Sequence, residues 1–546
     1  MRRRDFLSTA FALAMTGVRR DWAISPGAAK NILDYGAKPG GKKLNTEAIQ
    51  RAIADAFKEG GGTVLVPAGQ FLTGKIELPS HITLYLDAGA TLLGSKSLSD
   101  YEGGESGSHD RHLVFSRNSE SVAIAGAGSI DGQGPAFWEP SDAPPKPADE
   151  QWAAVASHKL KPKKSGRPSP MIYFMNCRQV RIQGVRLENS PGWTLHAFNC
   201  DDVVIDGLSI KNPVDGPNTD GIDLTGCQNV TVSNCTIATG DDAICLKSNG
   251  SGGEPRLVKN VKVMHCSLTT CCNGFKIGTE SEGGFENISF SNSVVYGGDV
   301  AYPERVISGV ALEVVDGGWI DGVEVNGIQM ERARAPLFIR LGNRKSPQPY
   351  PQHGLRHITV QDLHATDVLM ASCITGLPGV EVQDVSISNL RANNVLPCRT
   401  DWVGRQISEK PSGYPEIWMF GMLPASGLYA RHVRGLRLDK VDLSATAGEA
   451  RPTVIFEDAA GSQVTDLVSS PVNGSMPVVQ LIDCRDIELA SSSAPAGTKL
   501  YLEVEGSNSS GITLSADNLP GTREAVRTSN GASRGAVTVR EKSTAP

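Results

Sequence analysis

Two short acidic strings lie at equivalent points of successive repeats of this chain. They are Asn218-Thr219-Asp220-Gly221 and Gly240-Asp241-Asp242. If each repeat forms one coil of a β-solenoid, equivalent positions stack about 4.8 Å apart. Asp220, Asp241 and Asp242 would then converge on one exposed face. Crowded carboxyl groups push their pKa values apart and divide into a proton donor and a base, so this cluster predicts acid/base catalysis.

An apolar pattern with a period of two residues recurs along the chain and predicts the elements that carry these acids. The pattern is apolar-x-apolar-x-x-apolar-x-apolar, usually after Asn, Asp or Gly, and its successive starts lie 23 to 51 residues apart. Such strands, repeated at this spacing and separated by polar turns, predict a single-domain, all-β parallel β-helix. The copies begin at Val180, Val203, Val230, Val261, Ile288, Val323, Ile358, Val385 and Leu436.

The rest of the chain is organised around these coils. One helical pattern, from Thr46 to Lys58, predicts a helix that covers the open N-terminal end of the stack, which otherwise exposes strand edges. We expect a signal segment at 1–28, the cap and first coils at 29–95 and the β-helix with its catalytic face at 96–445. Weaker C-terminal coils follow at 446–520, and the polar residues 521–546 are expected to be disordered.

Composition and targeting signals restrict the function classes. The net charge of −6 gives no reason to expect a nucleic acid partner, and no apolar run is long enough for a membrane span. The N-terminal Arg2-Arg3-Arg4-Asp5-Phe6-Leu7, followed by the apolar stretch from Ala10 to Met15, matches a twin-arginine signal and predicts a periplasmic or secreted protein. The eleven cysteines are expected to be buried thiols rather than disulfides or zinc ligands.

Aligning the strands around the acids predicts which side chains share their surface. Ile222, Ile244, Phe275, Val310 and Ile339 should point inward, because side chains alternate along a strand. One outward column should then hold, in order, Asp223, Cys245, Lys276, Ala311 and Arg340, with His196 at its head. A second outward column should hold Thr225, Lys247, Gly278 and Glu313.

At these residues the chain resembles glycoside hydrolase family 28, the polygalacturonases and their relatives. The resemblance covers most of residues 30 to 445. Besides the two acidic strings, it rests on Gly128-Ser129-Ile130-Asp131-Gly132-Gln133-Gly134, on Asn189-Ser190-Pro191-Gly192-Trp193, and on Tyr35-Gly36-Ala37 before the capping helix. It implies a right-handed parallel β-helix that hydrolyses glycosidic bonds with inversion and without a metal or another cofactor.

The resemblance also implies roles for the acids. Asp241 resembles the general acid, and Asp220 and Asp242 resemble the pair that activates water, which suits attack from the face opposite the leaving group. The expected substrate-binding residues around them are Asn218, Asp223, His196, Lys247, Asn273, Lys276, Glu280 and Arg340.

Two departures from the family pattern concern the substrate carboxylate. The chain has Asn273-Gly274 where polygalacturonases carry His-Gly, and Ala311-Leu312-Glu313 where they carry Arg-Ile-Lys. Lys276 or Arg340 would have to hold a galacturonate carboxylate from a displaced position. Glu313 and Glu280 instead favour a neutral sugar hydroxyl nearby, such as that of rhamnose in the mixed pectin backbone.

The sequence therefore predicts an exported, monomeric, inverting glycosidase that acts on a pectin-type polysaccharide or oligosaccharide. Within the same family, a rhamnogalacturonan hydrolase or rhamnosidase is the alternative. From other classes, a polysaccharide-binding β-helix without activity and a lyase remain open. A lyase would leave an unsaturated, ultraviolet-absorbing product, which separates it from a hydrolase.

Overall fold

Each coil of this protein places its strands directly on the same strands of the coil before it. The computed structural model describes residues 29–102, 111–144, 146–250, 253–298, 302–344, 353–491, 493–515, 519 and 522–540. Over these residues the strands pair in parallel from coil to coil, apart from one antiparallel pair in a loop. The fold is a right-handed parallel β-helix, as predicted, and the acidic strings lie on successive coils.

The strands of the first part of the chain form the cap and the early coils. They are β1 (Lys30–Asn31), β2 (Gly62–Val66), β3 (Gly69–Thr73), β4 (Ile76–Glu77), β5 (Ile82–Leu86), β6 (Ala90–Gly94), β7 (Val114–Arg117), β8 (Ala123–Gly126), β9 (Ser129–Asp131), β10 (Trp138–Pro140), β11 (Leu160–Pro162), β12 (Ile172–Met175), β13 (Arg178–Gln183) and β14 (Arg186–Glu188).

The strands of the middle part carry the site. They are β15 (Leu195–Phe198), β16 (Asp201–Asp206), β17 (Ser209–Lys211), β18 (Ile222–Thr225), β19 (Gln228–Ser233), β20 (Thr236–Thr239), β21 (Ile244–Ser248), β22 (Val258–Met264), β23 (Ser267–Thr270), β24 (Phe275–Ser281), β25 (Gly284–Tyr296), β26 (Val306–Val314), β27 (Trp319–Glu331) and β28 (Ala333–Leu341).

The remaining strands continue the stack to its C-terminal end. They are β29 (Gly354–Val368), β30 (Ser372–Thr375), β31 (Val382–Asn394), β32 (Leu428–Arg434), β33 (Arg437–Ala445), β34 (Val454–Ser469), β35 (Val479–Ile482), β36 (Arg485–Ala490), β37 (Leu500–Glu505), β38 (Ile512–Ser515), β39 (Glu524–Ser529) and β40 (Val537–Arg540).

Helical structure is confined to the cap and the connections. The α-helix α1 (Thr46–Lys58) has the predicted bounds, and its apolar side chains join the core at the N-terminal end of the stack. The described residues also form short 3₁₀ helices, at Ile32–Tyr35, Leu98–Tyr101, Gly134–Phe137, Ala148–Ala153, Ala156–Lys159, Tyr302–Glu304, Thr400–Trp402, Ile417–Phe420 and Arg534–Ala536.

The interior of the helix is a continuous apolar stack. Ile222, Ile244, Phe275 and Val310 pair in register on β18, β21, β24 and β26 and are fully buried, as their alternation predicts. Burial of such side chains contributes roughly 1.5–3 kcal/mol each. The stack fixes the height and the direction of every outward side chain next to it.

Asparagines at the turns explain why the repeats start after polar residues. Asn229, Asn260 and Asn287 occupy the same turn of successive coils, each with φ near +55°. Asparagine tolerates this left-handed conformation better than most residues. The side-chain amide of Asn260 donates to Asn229 at 2.9 Å, and that of Asn287 donates to Asn260 at 2.7 Å. The ladder holds the coils in register.

A long connection covers part of the outer face. We call residues 395–427, between β31 and β32, the cover loop. Its Trp402, Ile417 and Phe420 pack on outward side chains of the coils below, including Phe338 and Tyr429, in a second apolar cluster. The outward columns therefore do not face solvent on these coils, which differs from the sequence expectation of an exposed sheet face.

The C-terminal prediction is also corrected. The segment 521–546 is expected from its polarity to be disordered, yet β39 and β40 pair in parallel with β37 and β38. An edge strand needs only a partner backbone and one apolar face, and Val526 and Val537 pack on the core. The last six residues, like the twin-arginine segment at 1–28, lie outside the described residues.

Candidate active site

Asp220, Asp241 and Asp242 meet at one point of the outer face. Each offers a carboxylate oxygen, and these oxygens lie within 4.8 Å of one another. Asp220 and Asp242 are buried and Asp241 is half-buried. Asp220 precedes β18 and the other two precede β21, so the pairing of these strands brings the three together. The convergence expected from the repeats is present.

Asp242 is the carboxyl group that its neighbours keep ionised. Its Oδ1 accepts hydrogen bonds from the backbone and the side-chain amide of Asn273, at 3.1 and 2.8 Å. Its Oδ2 lies 3.2 Å from Lys276 Nζ. Burial, the largest single influence, raises the pKa of Asp242, but Lys276, Lys247 and the Asn273 hydrogen bonds together outweigh it and lower the pKa.

Asp241 keeps its proton more readily. Burial and, next, the neighbouring Asp242 raise its pKa. Its backbone carbonyl accepts from the hydroxyls of Thr239 and Thr270, both at 2.6 Å, which fixes the turn. The turn also needs Gly240, because a Cβ there would lie 2.3 Å from the carbonyl oxygen of Gly216. Asp241 is therefore a rigidly placed, accessible acid.

Asp220 is the most shielded of the three acids. Burial and the charge of Asp241 raise its pKa well above the usual value, and its Oδ1 has no hydrogen-bond partner among the described residues. Three coupled carboxyl groups with shifts in both directions titrate as one unit. The unit can hold one proton for donation beside an ionised Asp242.

Lys276 lies at the centre of a second ring of carboxylates. Its Nζ is 3.2 Å from Asp242, 3.7 Å from Glu416 and 3.8 Å from Glu313. Burial lowers the pKa of Lys276, but the surrounding carboxylates raise it well above the usual value. Lys276, which the sequence predicts to hold a substrate carboxylate, is therefore already paired with carboxylates of the protein.

The second lysine of the face is also paired internally. Lys247 Nζ lies 3.2 Å from Asp223 and 4.6 Å from the centre of the Trp193 ring. Asp223 is fully buried, and burial raises its pKa to about 7. His196 stacks on Tyr173 at 5.0 Å between ring centres and contacts Thr225 at 2.9 Å. Burial lowers the pKa of His196 to about 3, so its ring is neutral.

The sequence also predicts substrate contacts for Asn218, Glu280 and Asn273. Asn218 is exposed and donates to Asp241 at 3.4 Å, and Glu280 is half-buried and accepts from Asn249. Asn273 is fully buried and its side-chain amide donates to Asp242 at 2.8 Å, whereas its Oδ1 has no hydrogen-bond partner among the described residues.

Arg340 is not part of the acid cluster. Its guanidinium donates to Thr375 Oγ1 at 3.1 Å and to the carbonyls of Glu409 and Lys410 at 3.0 Å each. In the observed register Arg340 pairs with Glu313, and Phe338 occupies the place beside Ala311. Three coils, about 14 Å, separate it from Asp242 along the stack. Its terminal nitrogens thus donate to Thr375 and to the cover loop, and the side chain is fully buried, so the structure does not bring Arg340 to the acid cluster as the sequence predicts.

Sequence reasoning missed two groups at the site. Glu416 comes from the cover loop, and its Oε1 lies 3.4 Å from the side-chain amide of Asn273. Burial raises the pKa of Glu416 to about 7. Arg167 comes from the long segment before β12 and donates to the Pro217 carbonyl at 2.6 Å and to Asn218 at 3.0 Å. Neither lies in a repeat, so no periodic signal marks them.

Within the described part of the chain, the three aspartates are also the group whose spacing suits a cation. Hard divalent cations prefer such carboxylate oxygens. Lys276 and Lys247, however, already supply positive charge beside Asp242. Independence from metal thus stays a prediction, which activity in the presence of a chelator tests.

Comparison with known proteins identifies the family of this chain. The chain is a glycosyl hydrolase. Residues 59–368 match the model of glycosyl hydrolases family 28, and the chain belongs to this family.

Named relatives agree with the family. The chain is 29% identical over 385 residues to a probable polygalacturonase of Vitis vinifera, covering 66% of this chain and 73% of that protein. It is 26% identical over 305 residues to an endo-polygalacturonase of Pectobacterium carotovorum subsp. carotovorum, covering 54% of this chain and 71% of that protein.

Solved structures share the fold. An exopolygalacturonase from Thermotoga maritima matches with a TM-score of 0.54 and 24% identity, over 68% of this chain and 88% of that one. A family 28 exopolygalacturonase of Yersinia enterocolitica matches with a TM-score of 0.51 and 20% identity, over 84% of this chain and 78% of that one. In the described residues of the present protein, no helix has the length and apolar character that a membrane crossing requires.

Proposed function

We propose that this protein hydrolyses glycosidic bonds of a galacturonate-containing, pectin-type polysaccharide. The observation that carries the proposal is the convergence of three carboxyl oxygens within 4.8 Å, with the pKa of Asp241 raised and that of Asp242 lowered. The polygalacturonase names of the relatives supply the substrate class.

In this mechanism Asp241 donates its proton to the leaving glycosidic oxygen. Asp242, ionised beside Lys276, accepts a proton from the attacking water, and Asp220 helps to orient that water. Water adds to the anomeric carbon as the bond to the leaving oxygen breaks, so one proton is given and one is taken up. The buried Asn273 keeps the base aligned.

The stereochemistry tests the finer proposal of inversion. Most inverting glycosidases separate their two carboxyl groups by about 6.5–9.5 Å to admit water, whereas oxygens of this cluster lie within 4.8 Å. Inversion here requires that the Asp220–Asp242 pair itself holds the water. Proton NMR of the first product formed should show the anomer opposite to the substrate's. Retention would make one aspartate a nucleophile and contradict direct attack by water.

The substrate class is tested by incubating the purified protein with polygalacturonate and with rhamnogalacturonan and sizing the products. Release of reducing ends without new ultraviolet absorbance supports hydrolysis and excludes a lyase. Binding of either polymer without release of reducing ends would support the non-catalytic alternative. A rhamnogalacturonan hydrolase would release ends from the second polymer alone.

The proposal includes location and assembly. The twin-arginine pattern at the N-terminus supports export to the periplasm or beyond, where polysaccharide is encountered. Replacing Arg2, Arg3 and Arg4 by lysine should retain the protein in the cytoplasm, as fractionation would show. We further propose that the protein is a monomer, which sedimentation tests.

A further inference from the structure

Consecutive backbone carbonyls of the cover loop, those of residues 407–411, all accept hydrogen bonds from the coils beneath. Arg431 donates to the first two, at 2.6 and 3.2 Å, and Arg340 donates to the next two, at 3.0 Å each. The backbone amide of Asn343 donates to the last at 2.7 Å. We call residues 407–411 the strap. Arginine and amide donors keep their protons at neutral pH, so this part of the attachment does not depend on pH there.

Glu409 adds a side-chain attachment of the strap that does involve a titrating group. Its Oε1 lies 3.1 Å from His432 Nε2 and 3.3 Å from Arg431 Nη1. The other ring nitrogen of His432, Nδ1, lies 2.7 Å from Asp458 Oδ2. His432 is buried, so water cannot replace these partners while the strap is in place.

The two contacts of His432 specify the protonation state of its ring. An ionised carboxylate only accepts hydrogen bonds, and a neutral imidazole has one N–H donor and one bare nitrogen. With both carboxyl groups ionised, the ring can donate to Asp458 and to Glu409 together only as the imidazolium. After the loss of one proton, a carboxylate oxygen would face a ring lone pair. The observed geometry is therefore that of the charged ring.

The charged groups that face His432 come from two elements. Glu409 belongs to the cover loop and Asp458 to β34, and Arg431, the preceding residue on β32, shares Glu409. The coil before β32 approaches with backbone at Gly376, where a Cβ would lie 2.4 Å from the carbonyl oxygen of His432. The charge of the ring is thus balanced by two anions, of which the strap supplies one.

We propose that His432 is a positioning residue that makes the attachment of the strap depend on pH. Its imidazolium fastens Glu409, and the strap leads directly to Glu416, whose Oε1 lies 3.4 Å from the Asn273 amide and 3.7 Å from Lys276 Nζ. Histidine is the side chain that ordinarily changes charge between about pH 5 and 8. When the ring loses its proton, the strap loosens and Glu416 loses its fixed place beside the acid cluster.

Limited proteolysis tests the proposal without a substrate, so its result does not depend on the proposed function. The rate of cleavage within residues 399–416 is measured at pH 5 and at pH 9 and divided by that of an unstructured peptide in the same tube. In the wild-type protein this ratio should rise about tenfold or more from pH 5 to pH 9, because a hydrogen bond from a charged donor is lost. Equal ratios at the two pH values would overturn the proposal.

Two substitutions separate the charge of His432 from damage to the loop. In Asp458→Asn the side-chain amide can donate to Nδ1 while Nε2–H donates to Glu409, so a neutral ring keeps both contacts. Asparagine also suits the φ of +47° at this position and the φ of +53° at His432. Asp458→Asn should stay protected at pH 9, whereas His432→Asn should be cleaved about tenfold or more faster than wild type already at pH 5. The wild-type pH dependence in either variant would overturn the proposal.

His357→Asn is the matched control. His357 also lies between two carboxylates, 2.7 Å from Asp321 and 3.9 Å from Asp384, but it is exposed and belongs to β29. This variant should keep the wild-type ratios, and loss of the pH dependence here would overturn the assignment to His432.

The hydrolysis assay provides the link to the active site. Between pH 5 and pH 9, kcat/KM should fall less in Asp458→Asn than in the wild-type protein, by about threefold or more. An equal fall in both proteins would overturn the role of His432 as a positioning residue for the site. Failure of the wild-type protein to release reducing ends would count against the proposed function alone, because the proteolysis result stands without it.

Discussion

Asp241 and Asp242 are adjacent in the chain, yet their surroundings favour opposite protonation states. Both are desolvated, but only Asp242 accepts two hydrogen bonds from Asn273 and lies against Lys276. The ammonium group of Lys276 lies 3.2 Å from Asp242 Oδ2 and favours the ionised form of that carboxyl group. Division of labour between two like side chains therefore depends on residues one coil away.

Lys276→Met tests the role of that ammonium group. Without Lys276 the pKa of Asp242 should rise, because an opposite charge at this distance lowers a carboxyl pKa by about 1–3 units. Since the base must be ionised, the acidic limb of the kcat/KM–pH profile should move to higher pH by about one unit or more. Lys259→Met, which removes a lysine paired with Glu286 on β25, is the matched control. An acidic limb at its original position would contradict the assignment.

The aspartates were predictable from the sequence because they occupy equivalent points of a repeat. Glu416 was not, because it lies 143 residues from its contact Asn273, in a loop without periodicity. The same difference applies to Arg167. A residue that lies in a repeat can be found by aligning the repeats. The position of a residue in a long loop depends on the conformation of that loop, which the spacing of residues does not predict.

At the scale of elements, the cover loop is what turns the outer face into a site. It buries Phe338 and Tyr429, carries Glu416 and Tyr414, and is held by donors from the coils beneath it. The sequence predicted the strand faces correctly but aligned Arg340 with Ala311, whereas Arg340 pairs with Glu313. A slip of two residues keeps every side chain on its face, so hydrophobic alternation could not reveal the error.

Arg340→Met tests how the cover loop is anchored. The guanidinium is fully buried and donates to the carbonyls of Glu409 and Lys410. Removing hydrogen bonds from a charged donor and leaving these acceptors unpaired should lower the free energy of unfolding by about 1–3 kcal/mol. Calorimetry should show a lower Tm, and limited proteolysis should cut within residues 399–416. Arg391→Met, at an exposed position of β31, should change neither. Unchanged Tm and cleavage in Arg340→Met would contradict this role.

At the scale of the whole molecule, buried carboxyl groups make stability depend on pH. Burial raises the pKa of Glu416 from 4.5, and that of Asp223 from 3.8, to about 7 in each case. The groups facing Glu416 are Lys276, Asp242, Asp241 and Asn273. The folded state then binds protons more tightly than the unfolded state, so these groups stabilise the fold fully below pH 4 and lose that contribution as the pH rises through about 7.

The Tm should therefore fall between about pH 4.5 and 7.5, and Glu416→Gln should make the fall shallower. Differential scanning calorimetry across this range measures both. Glu324→Gln, at an exposed position of β27, should keep the wild-type slope. If Glu416→Gln also keeps that slope, Glu416 does not bind a proton in this window.

The cysteines give a second prediction for the whole chain. All eleven are free thiols, and ten of them are buried. Cys398 is the partly exposed one, and burial raises its pKa. A thiol reagent at pH 8 should modify no more than one cysteine of the native protein and all eleven after unfolding. A reductant should not lower the Tm. Several reactive native thiols, or a Tm that falls on reduction, would contradict this account.

The architecture itself was predictable because a β-helix repeats the same strand pattern in each coil. Val180, Val203 and Val230 mark the same strand position of consecutive coils, and the structure pairs them in register. The C-terminal strands escaped prediction because their sequence is polar and their pairing depends on the coil before them. When a strand forms because it pairs with a neighbouring strand, its own amino-acid composition does little to predict it.

The most direct test of the central claim is the rate at which wild-type protein and Asp241→Asn release reducing ends from the better of polygalacturonate and rhamnogalacturonan. Asparagine preserves the shape of the side chain but cannot donate the proton. The rate should fall by about 10²–10⁴-fold, with an unchanged circular dichroism spectrum and Tm. Asp87→Asn, at an exposed position after β5, should retain the wild-type rate. A folded Asp241→Asn protein with a near wild-type rate would contradict the assignment of the acid and with it the mechanism.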